Sequence, residues 1–262
     1  MNSDTPVVIL CGGQGTRIRE ASESLPKAMV EIGGQPILWH IMKIYRNAGF
    51  RRFVLCLGYK SWAIKEYFLD YRARRSDFTL NMGDQHQIDF HNGVDEDWQI
   101  TFAETGLETA TGARVRRIKD YIDTDNFLLT YGDGVSDIDL AQLTKEHEQS
   151  GNVGTVTGVH PTSKFGEMHV EDNQVVEFNE KPTQVSGFVS GGFFAFKREF
   201  LDDYLDDDPQ LWLEHTPLQR VARDGKLGVH RHDGFWSAMD TFKDYQELNK
   251  LWNAGEAPWK VW

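Results

Sequence analysis

The sequence predicts an α/β fold built on a mainly parallel central sheet, and three observations carry that prediction. Short, very apolar runs at Val7–Leu10, 53–57 and 127–130 are suited to strands buried on both faces. Between them lie stretches whose apolar residues recur at helical spacing. Glycine-bearing loops follow the first and last of these runs, at the strand ends where open α/β sheets place their ligand chemistry. At 262 residues the chain can bury about three quarters of its unfolded surface in one domain, with no need of a disulfide or metal staple.

Taken in order, the first run opens into Cys11-Gly-Gly-Gln-Gly-Thr-Arg17 and then Leu25-Pro-Lys27. Gly12, Gly13 and Gly15 let backbone amides approach an anion with no Cβ in the way, and Arg17 and Lys27 bring two cations to the same place. Two better-known phosphate loops fail on spacing. A P-loop needs Lys-Ser/Thr after its last glycine, where Thr16-Arg17 stands, and a dinucleotide fingerprint needs glycine at Ile18. Pro36 suits a first helical turn, and Ile37, Ile41, Ile44 and Ala48 continue a helix that Gly49 ends. His40 lies within it with no metal partner at matching spacing and reads as structural. Residues 53–57 are the second strand and 62–71 the second helix.

The rhythm breaks over 72–97, which is too long for an ordinary connection and reads as an insertion carrying a hairpin. Its roles are a solvated lobe edge, a subunit contact or a lid over the ligand. A strand at 99–103 leads into a second glycine- and threonine-bearing loop, 105–112, and then a basic helix over 112–121. Arg114, Arg116, Arg117 and Lys119 of that helix read as a solvated cationic face. The strand 127–130 delivers Tyr131-Gly-Asp133-Gly134, either as a ligand site or as a plain turn into a helix at 139–150. Shorter strands at 153–159, 167–170, 174–178 and 188–196 extend the sheet toward a second substrate. The acidic run 202–208 has consecutive carboxylates that cannot all face one ion, so it reads as a solvated helix end. A last helix spans 242–253, and Trp252, Trp259 and Trp262 read as anchors of a tail or an interface.

A net charge of −12 argues against a nucleic-acid surface, which needs a spread positive field. Cys11 and Cys56 sit in or beside apolar runs, as buried thiols of a reducing compartment do. With no signal-peptide pattern and no apolar stretch near the roughly 20 residues a membrane span requires, the expected location is the cytoplasm.

The combination Gly12-Gly-Gln-Gly-Thr-Arg17 with Pro26-Lys27 resembles the signature of the sugar-1-phosphate nucleotidyltransferases, and residues 29–42 are similar to their glucose-1-phosphate cytidylyltransferase branch. The similarity continues through Tyr131-Gly-Asp-Gly134, Glu180-Lys-Pro182, Gly191-Gly-Phe-Phe194, 235–241 and 257–262. It implies a single domain with a Rossmann-like mixed, mostly parallel sheet flanked by helices, plus a smaller antiparallel sugar-side sheet. The nucleotide half would span 1–150 with the insertion at 72–97, and the sugar-phosphate half 151–262.

The reaction implied is Mg²⁺-dependent transfer of a cytidylyl group from CTP to a hexose 1-phosphate, foremost α-D-glucose 1-phosphate, releasing pyrophosphate. Alternatives are a nucleotidyltransferase using dTTP, UTP or another sugar, and a nucleotide-sugar sensor without turnover. By the resemblance, Arg17 and Lys27 are the catalytic cations. Leu10, Gly12, Gly13, Gly15, Thr16, Thr105, Gly106, Thr109, Thr111, Gly112 and Asp133 surround the nucleotide with them. Asp133 and Asp240 hold Mg²⁺, and Gly166, Glu180, Lys181, Gly191 and Gly192 face the sugar phosphate. Ala28, Gln35 and Ser190 depart from the proline, lysine and asparagine usual in the family, which bears on sugar identity more than on the reaction. The insertion and the tryptophan-rich tail are the candidate contacts of a homo-oligomer.

Overall fold

The computed structural model describes residues 1–13, 25–83, 87–93, 96–160, 167–171, 174–179 and 187–262. Its centre is a seven-stranded sheet made of β1 (Val7–Leu10), β4 (Arg52–Leu57), β7 (Gln99–Glu104), β8 (Asn126–Tyr131), β10 (Gly154–Val159), β13 (Val189–Lys197) and β14 (Leu227–His232). The spatial order is β14-β10-β13-β8-β1-β4-β7. Within this sheet β13 alone pairs antiparallel to its neighbours β8 and β10, so the sheet is mixed and mostly parallel.

Period-two alternation divides the core into two faces. Val7, Ile9, Phe53, Leu55, Leu128 and Phe193 pack on one side, whereas Val8, Leu10, Val54, Leu129, Phe194 and Phe196 pack on the other. A two-residue ladder of β2 (Glu31–Ile32) with β3 (Gln35–Pro36) leads into helix α1 (Ile37–Asn47), and helix α2 (Ser61–Leu69) follows β4. Helices α4 (Thr111–Arg117) and α5 (Leu140–Ser150) follow β7 and β8, with Asp139 capping α5 by accepting from Gln142 N at 2.9 Å. From β1 the chain winds outward to β4 and β7, then returns to place β8 on the opposite side of β1. That reversal opens a crevice at the carboxyl ends of β1 and β8.

Several expectations change in detail. The helix expected at 62–71 is α2, which ends at Leu69, and the insertion begins with the short α3 (Tyr71–Arg75) and contains the hairpin β5 (Phe78–Leu80) and β6 (Ile88–Phe90). Strands β11 (Glu167–Glu171) and β12 (Gln174–Asn179) pair only with each other rather than extending the main sheet. The edge strand β14, the helices α6 (Glu199–Asp203) and α7 (Thr216–Arg223) and the short ladder of β9 (Gly134–Ser136) with β15 (Trp236–Ala238) had no clear sequence signal. Strand β14 reads Leu-Gly-Val-His-Arg-His, too polar and glycine-broken to announce a strand, and it exists because β10 offers it a parallel edge. Within the acidic run, Asp202 pairs with Lys119 and Asp206 with Arg220, so its carboxylates balance local cations.

The chain ends on helix α8 (Phe242–Asn253) and a tail that closes over α1. Trp259 is fully buried, and its indole N–H donates to His40 Nδ1 at 3.3 Å, while His40 Nε2 lies 2.8 Å from the Ile32 carbonyl. A carbonyl can only accept, so Nε2 carries the proton and Nδ1 must be the bare nitrogen that accepts from Trp259. Burial accordingly lowers the His40 pKa to about 4, and burial also lowers that of His147 to about 4. Both rings are 0 % exposed.

A depressed histidine pKa means the unfolded chain binds the extra protons first. The stability is fully present above the unfolded value of 6.5 and is lost as pH falls toward 4. The expected slope is about 1.4 kcal/mol per pH unit for each histidine inside that window. Melting temperatures taken between pH 7 and 4.5 should fall steadily, and a flat profile would show that these rings are not held neutral.

Candidate functional site

Four chain segments converge on the crevice. The first is the end of β1 with Cys11, Gly12 and Gly13. A single turn of 3₁₀ helix, Lys27–Met29, supplies the second and aims Lys27 inward, closed by Met29 N–H on Pro26 O at 2.8 Å and Val30 N–H on Lys27 O at 3.1 Å. The third is the end of β8 with Tyr131, Gly132 and Asp133. The fourth arrives through the β9–β15 ladder, in which Ala238 pairs with Gly134 and Met239 N–H donates to Asp133 O at 2.9 Å. That ladder brings Asp240 beside Asp133 across more than a hundred residues of chain. The capping box of α8 then orients Asp240, since Asp244 accepts from the amides of both Asp240, at 3.1 Å, and Thr241, at 2.8 Å.

Lys27 joins the two carboxylates. Its Nζ donates to Asp133 Oδ2 at 2.5 Å and to Asp240 Oδ1 at 2.8 Å. Burial alone would lower the Lys27 pKa, but Asp133 and then Asp240 outweigh it and the pKa is raised, so the ammonium stays charged. The two aspartates therefore form an anionic pair that one cation half-neutralises. Two carboxylates from separate loops also suit a divalent ion held by one or two protein oxygens plus substrate phosphates. Among the described residues no cluster of three or more metal-ligating side chains occurs.

Two cavities meet at this pair. The first, called the larger for its empty volume of about 700 Å³ against about 550 Å³, is lined by Leu10, Cys11, Gly12, Gly13, Lys27, Ala28, Thr109, Ala110, Thr111, Arg114, Tyr131, Gly132, Asp133 and Trp212. The second is lined by Thr130, Tyr131, Asp133, Gly134, Ser190, Gly191, Trp236, Ala238 and Asp240. Tyr131 and Asp133 belong to both and form the wall between them. Gly192, at φ +77, lets the Tyr131 ring lie against the backbone, for a Cβ there would stand 2.4 Å from Tyr131 Cδ2. Trp236 donates its indole N–H to Gly191 O at 2.7 Å and closes the second cavity.

The basic helix α4 is where the structure departs most from the sequence reading. Arg114 is buried instead of solvated. Its guanidinium donates to the carbonyls of Leu57 (3.0 Å), Gly106 (2.7 Å), Gly12 (3.1 Å) and Leu107 (3.2 Å) and to Thr105 Oγ1 (2.8 Å). One side chain thus ties the first glycine loop to the loop at 105–107. Gly12 is obligatory beneath it, since a Cβ would lie 2.2 Å from Arg114 Nη1. Arg117 donates to Thr105 O at 2.6 Å and Thr109 Oγ1 at 2.8 Å, and Arg116 to Leu201 O at 2.8 Å, so none of the three is a free cationic surface. Sequence reasoning missed Arg114 because a helix of seven residues carrying three arginines reads as amphipathic toward water.

Other expected site residues divide by position. Leu10, Gly12, Gly13, Lys27, Thr109, Thr111 and Asp133 line the larger cavity, and Gly191, Asp133 and Asp240 the smaller. Thr105, Gly106 and Gly112 line neither of these cavities. Thr105 is buried with its hydroxyl on Leu57 O at 2.7 Å, and Gly112 abuts Leu211 O. Gly15, Thr16, Arg17, Gly166, Glu180 and Lys181 fall outside the described residues. Gln35 accepts from Tyr67 OH at 2.8 Å, whereas Ser190 lines the smaller cavity. Both thiols are buried, and burial pushes that of Cys56 up to about 12, far from a nucleophile's range.

The nucleotidyl transferase family profile matches residues 6–254. A Bacillus subtilis protein described as a probable glucose-1-phosphate cytidylyltransferase is 48% identical over 257 residues, covering 97% of this chain and 99% of its own. The glucose-1-phosphate cytidylyltransferase of Salmonella typhi is 42% identical over 256 residues, covering 97% and 98%. Among solved structures, HddC from Yersinia pseudotuberculosis superposes with a TM-score of 0.68 at 22% identity over 95% of this chain and 99% of its own, a likeness of fold.

Proposed function

Because the chain belongs to the nucleotidyl transferase family, we propose that it transfers a cytidylyl group from CTP to α-D-glucose 1-phosphate, giving CDP-glucose and pyrophosphate. The observation that carries the reaction is the pair of cavities meeting at Asp133, with Lys27 set between Asp133 and Asp240. The choice of CTP and glucose 1-phosphate rests on relatives of 48% and 42% identity that match almost end to end.

A phosphate oxygen of the sugar attacks the α-phosphorus of the nucleotide. The new O–P bond forms as the bond to pyrophosphate breaks, in line. The nucleophile is already anionic, so no catalytic base is needed and the protein's work is positioning and charge neutralisation. The larger cavity takes the nucleotide, with the amides of Gly12 and Gly13 toward phosphate and Lys27 on the α-phosphate. The smaller takes the sugar, against Gly191 and Ser190. Asp133 and Asp240 would hold Mg²⁺, which when bound supplies neutralisation of phosphate charge. Arg17, Glu180, Lys181 and Gly166 retain the roles given by the resemblance.

Cytosine differs from uracil and thymine by the donor at N4, so selection needs an acceptor facing it. Thr105 turns its hydroxyl to Leu57 and Arg114, whereas Thr109 and Thr111 line the larger cavity and keep acceptor capacity beside their bonds to Arg117 and Glu214, so the acceptor is drawn from those two hydroxyls and the backbone carbonyls of the two loops. The test is pyrophosphate release over a matrix of nucleoside triphosphates and hexose 1-phosphates. CTP with glucose 1-phosphate should exceed UTP and dTTP by at least about tenfold in kcat/KM, since an unpaired buried acceptor costs about 1–3 kcal/mol. Equal or better turnover with dTTP would overturn the cytidylyl assignment and leave the phosphate chemistry standing.

A further inference from the structure

Trp212 belongs to none of the motifs that mark the site, yet it lines the larger cavity. Its segment, 209–214, is stitched to the loop behind that cavity at several points. Ala110 N–H donates to Pro209 O at 2.9 Å, Ala113 N–H to Leu211 O at 3.1 Å, and Leu213 N–H to Thr111 Oγ1 at 3.0 Å. Glu214 then accepts from Thr111 Oγ1 at 2.8 Å and from Tyr131 OH at 2.5 Å. Both residues bracketing Trp212, Leu211 and Leu213, are buried in the core. The backbone around the ring is therefore fixed, while Trp212 as a residue is 49% exposed.

We infer that Trp212 is a stacking platform for the nucleoside base, and so an affinity-determining residue of the nucleotide half-site. The inference rests on the nucleotide reading above. Charge assigns the ends of the cavity: the triphosphate belongs beside Lys27 and Asp133, at the wall shared with the smaller cavity, and Trp212 lines only the larger one. An indole has no charge to offer a phosphate, but it presents a broad π-face to a planar ring, and a base–aromatic stack accepts any base. Affinity from Trp212 and choice of base from the loop acceptors are then separate functions.

Trp212→Ala should raise the KM for CTP about tenfold, the effect of losing one base–aromatic stack. The KM for glucose 1-phosphate, and the KM for pyrophosphate in the reverse direction, should stay within twofold of wild type. Trp212→Phe should recover most of the loss, and UTP should suffer with CTP by a similar factor. A purely structural role would move all three KM values and the melting temperature together and would not be rescued selectively. An active wild type whose Trp212→Ala variant keeps its CTP KM, or loses pyrophosphate affinity equally, overturns this inference and leaves the proposed function intact. A wild-type protein that binds no nucleoside triphosphate would overturn both.

Discussion

Replacing Asp133 or Asp240 by asparagine is expected to lower kcat by about a hundredfold or more while leaving the fold unchanged. Each substitution keeps the shape of the side chain and removes one negative charge from the pair that faces Lys27. A neutral amide oxygen is a far weaker ligand for a hard divalent cation, and the phosphates brought to the site would meet a net charge one unit more positive with the metal poorly held. Stability should change little. The two carboxylates are 29% and 43% exposed, and an ion pair in such a position contributes on the order of 1 kcal/mol or less after solvent screening. The measurements are steady-state pyrophosphate release across a Mg²⁺ titration, with melting temperature as the control. Wild-type turnover in either variant would remove that residue from the cation site, and a large fall in melting temperature would show that the pair is structural.

Much of the sheet was legible because its strands obey one rule: buried on both faces, they are apolar throughout. Val7–Leu10 and the runs at 53–57 and 127–130 stood out for that reason, and their neighbours in β1, β4 and β8 are consecutive in the sheet. Strand β14 was invisible, because an edge strand with His230, Arg231 and His232 has no such pattern. The site followed the same division. Lys27, Asp133 and Asp240 could be named as candidates because the family resemblance puts a cation and two carboxylates at loop ends, as phosphate chemistry asks, and the fold brings the three into contact. What could not be read were residues that act on backbone rather than on ligand. Glu214 is an ordinary acidic residue in sequence, and only the fold brings Tyr131 and Thr111 to its two oxygens. Thr105 lies in the loop that the resemblance places around the base, but the partners of its hydroxyl are Leu57 and Arg114.

Arg114 is the extreme case of that blindness, and it should be the most damaging single residue to lose outside the reacting groups. Burial lowers its pKa from the ordinary arginine value, so the fold spends free energy to keep a charge there. What it gains is five hydrogen bonds to four carbonyls and one hydroxyl drawn from the ends of β1 and β4 and the loop after β7. Arg114→Met would keep much of the stem and strip the donors. Each buried carbonyl left without a partner costs about 1–3 kcal/mol, and the Gly12 and Leu57 carbonyls keep the amides of Tyr59 and Thr105, so a total loss of about 3–5 kcal/mol is expected. Arg114→Lys should recover little, since one ammonium cannot span the spread of acceptors that the planar fork reaches. In urea denaturation both variants should shift the midpoint strongly downward. Below the transition, the KM for CTP should rise more than that for glucose 1-phosphate, because Gly12 and the 105–107 loop adjoin the larger cavity and neither lines the smaller. A methionine variant with an unchanged midpoint and an unchanged KM for CTP would mean that these two loops hold their shape without the guanidinium, and that Arg114 is a passenger in the core.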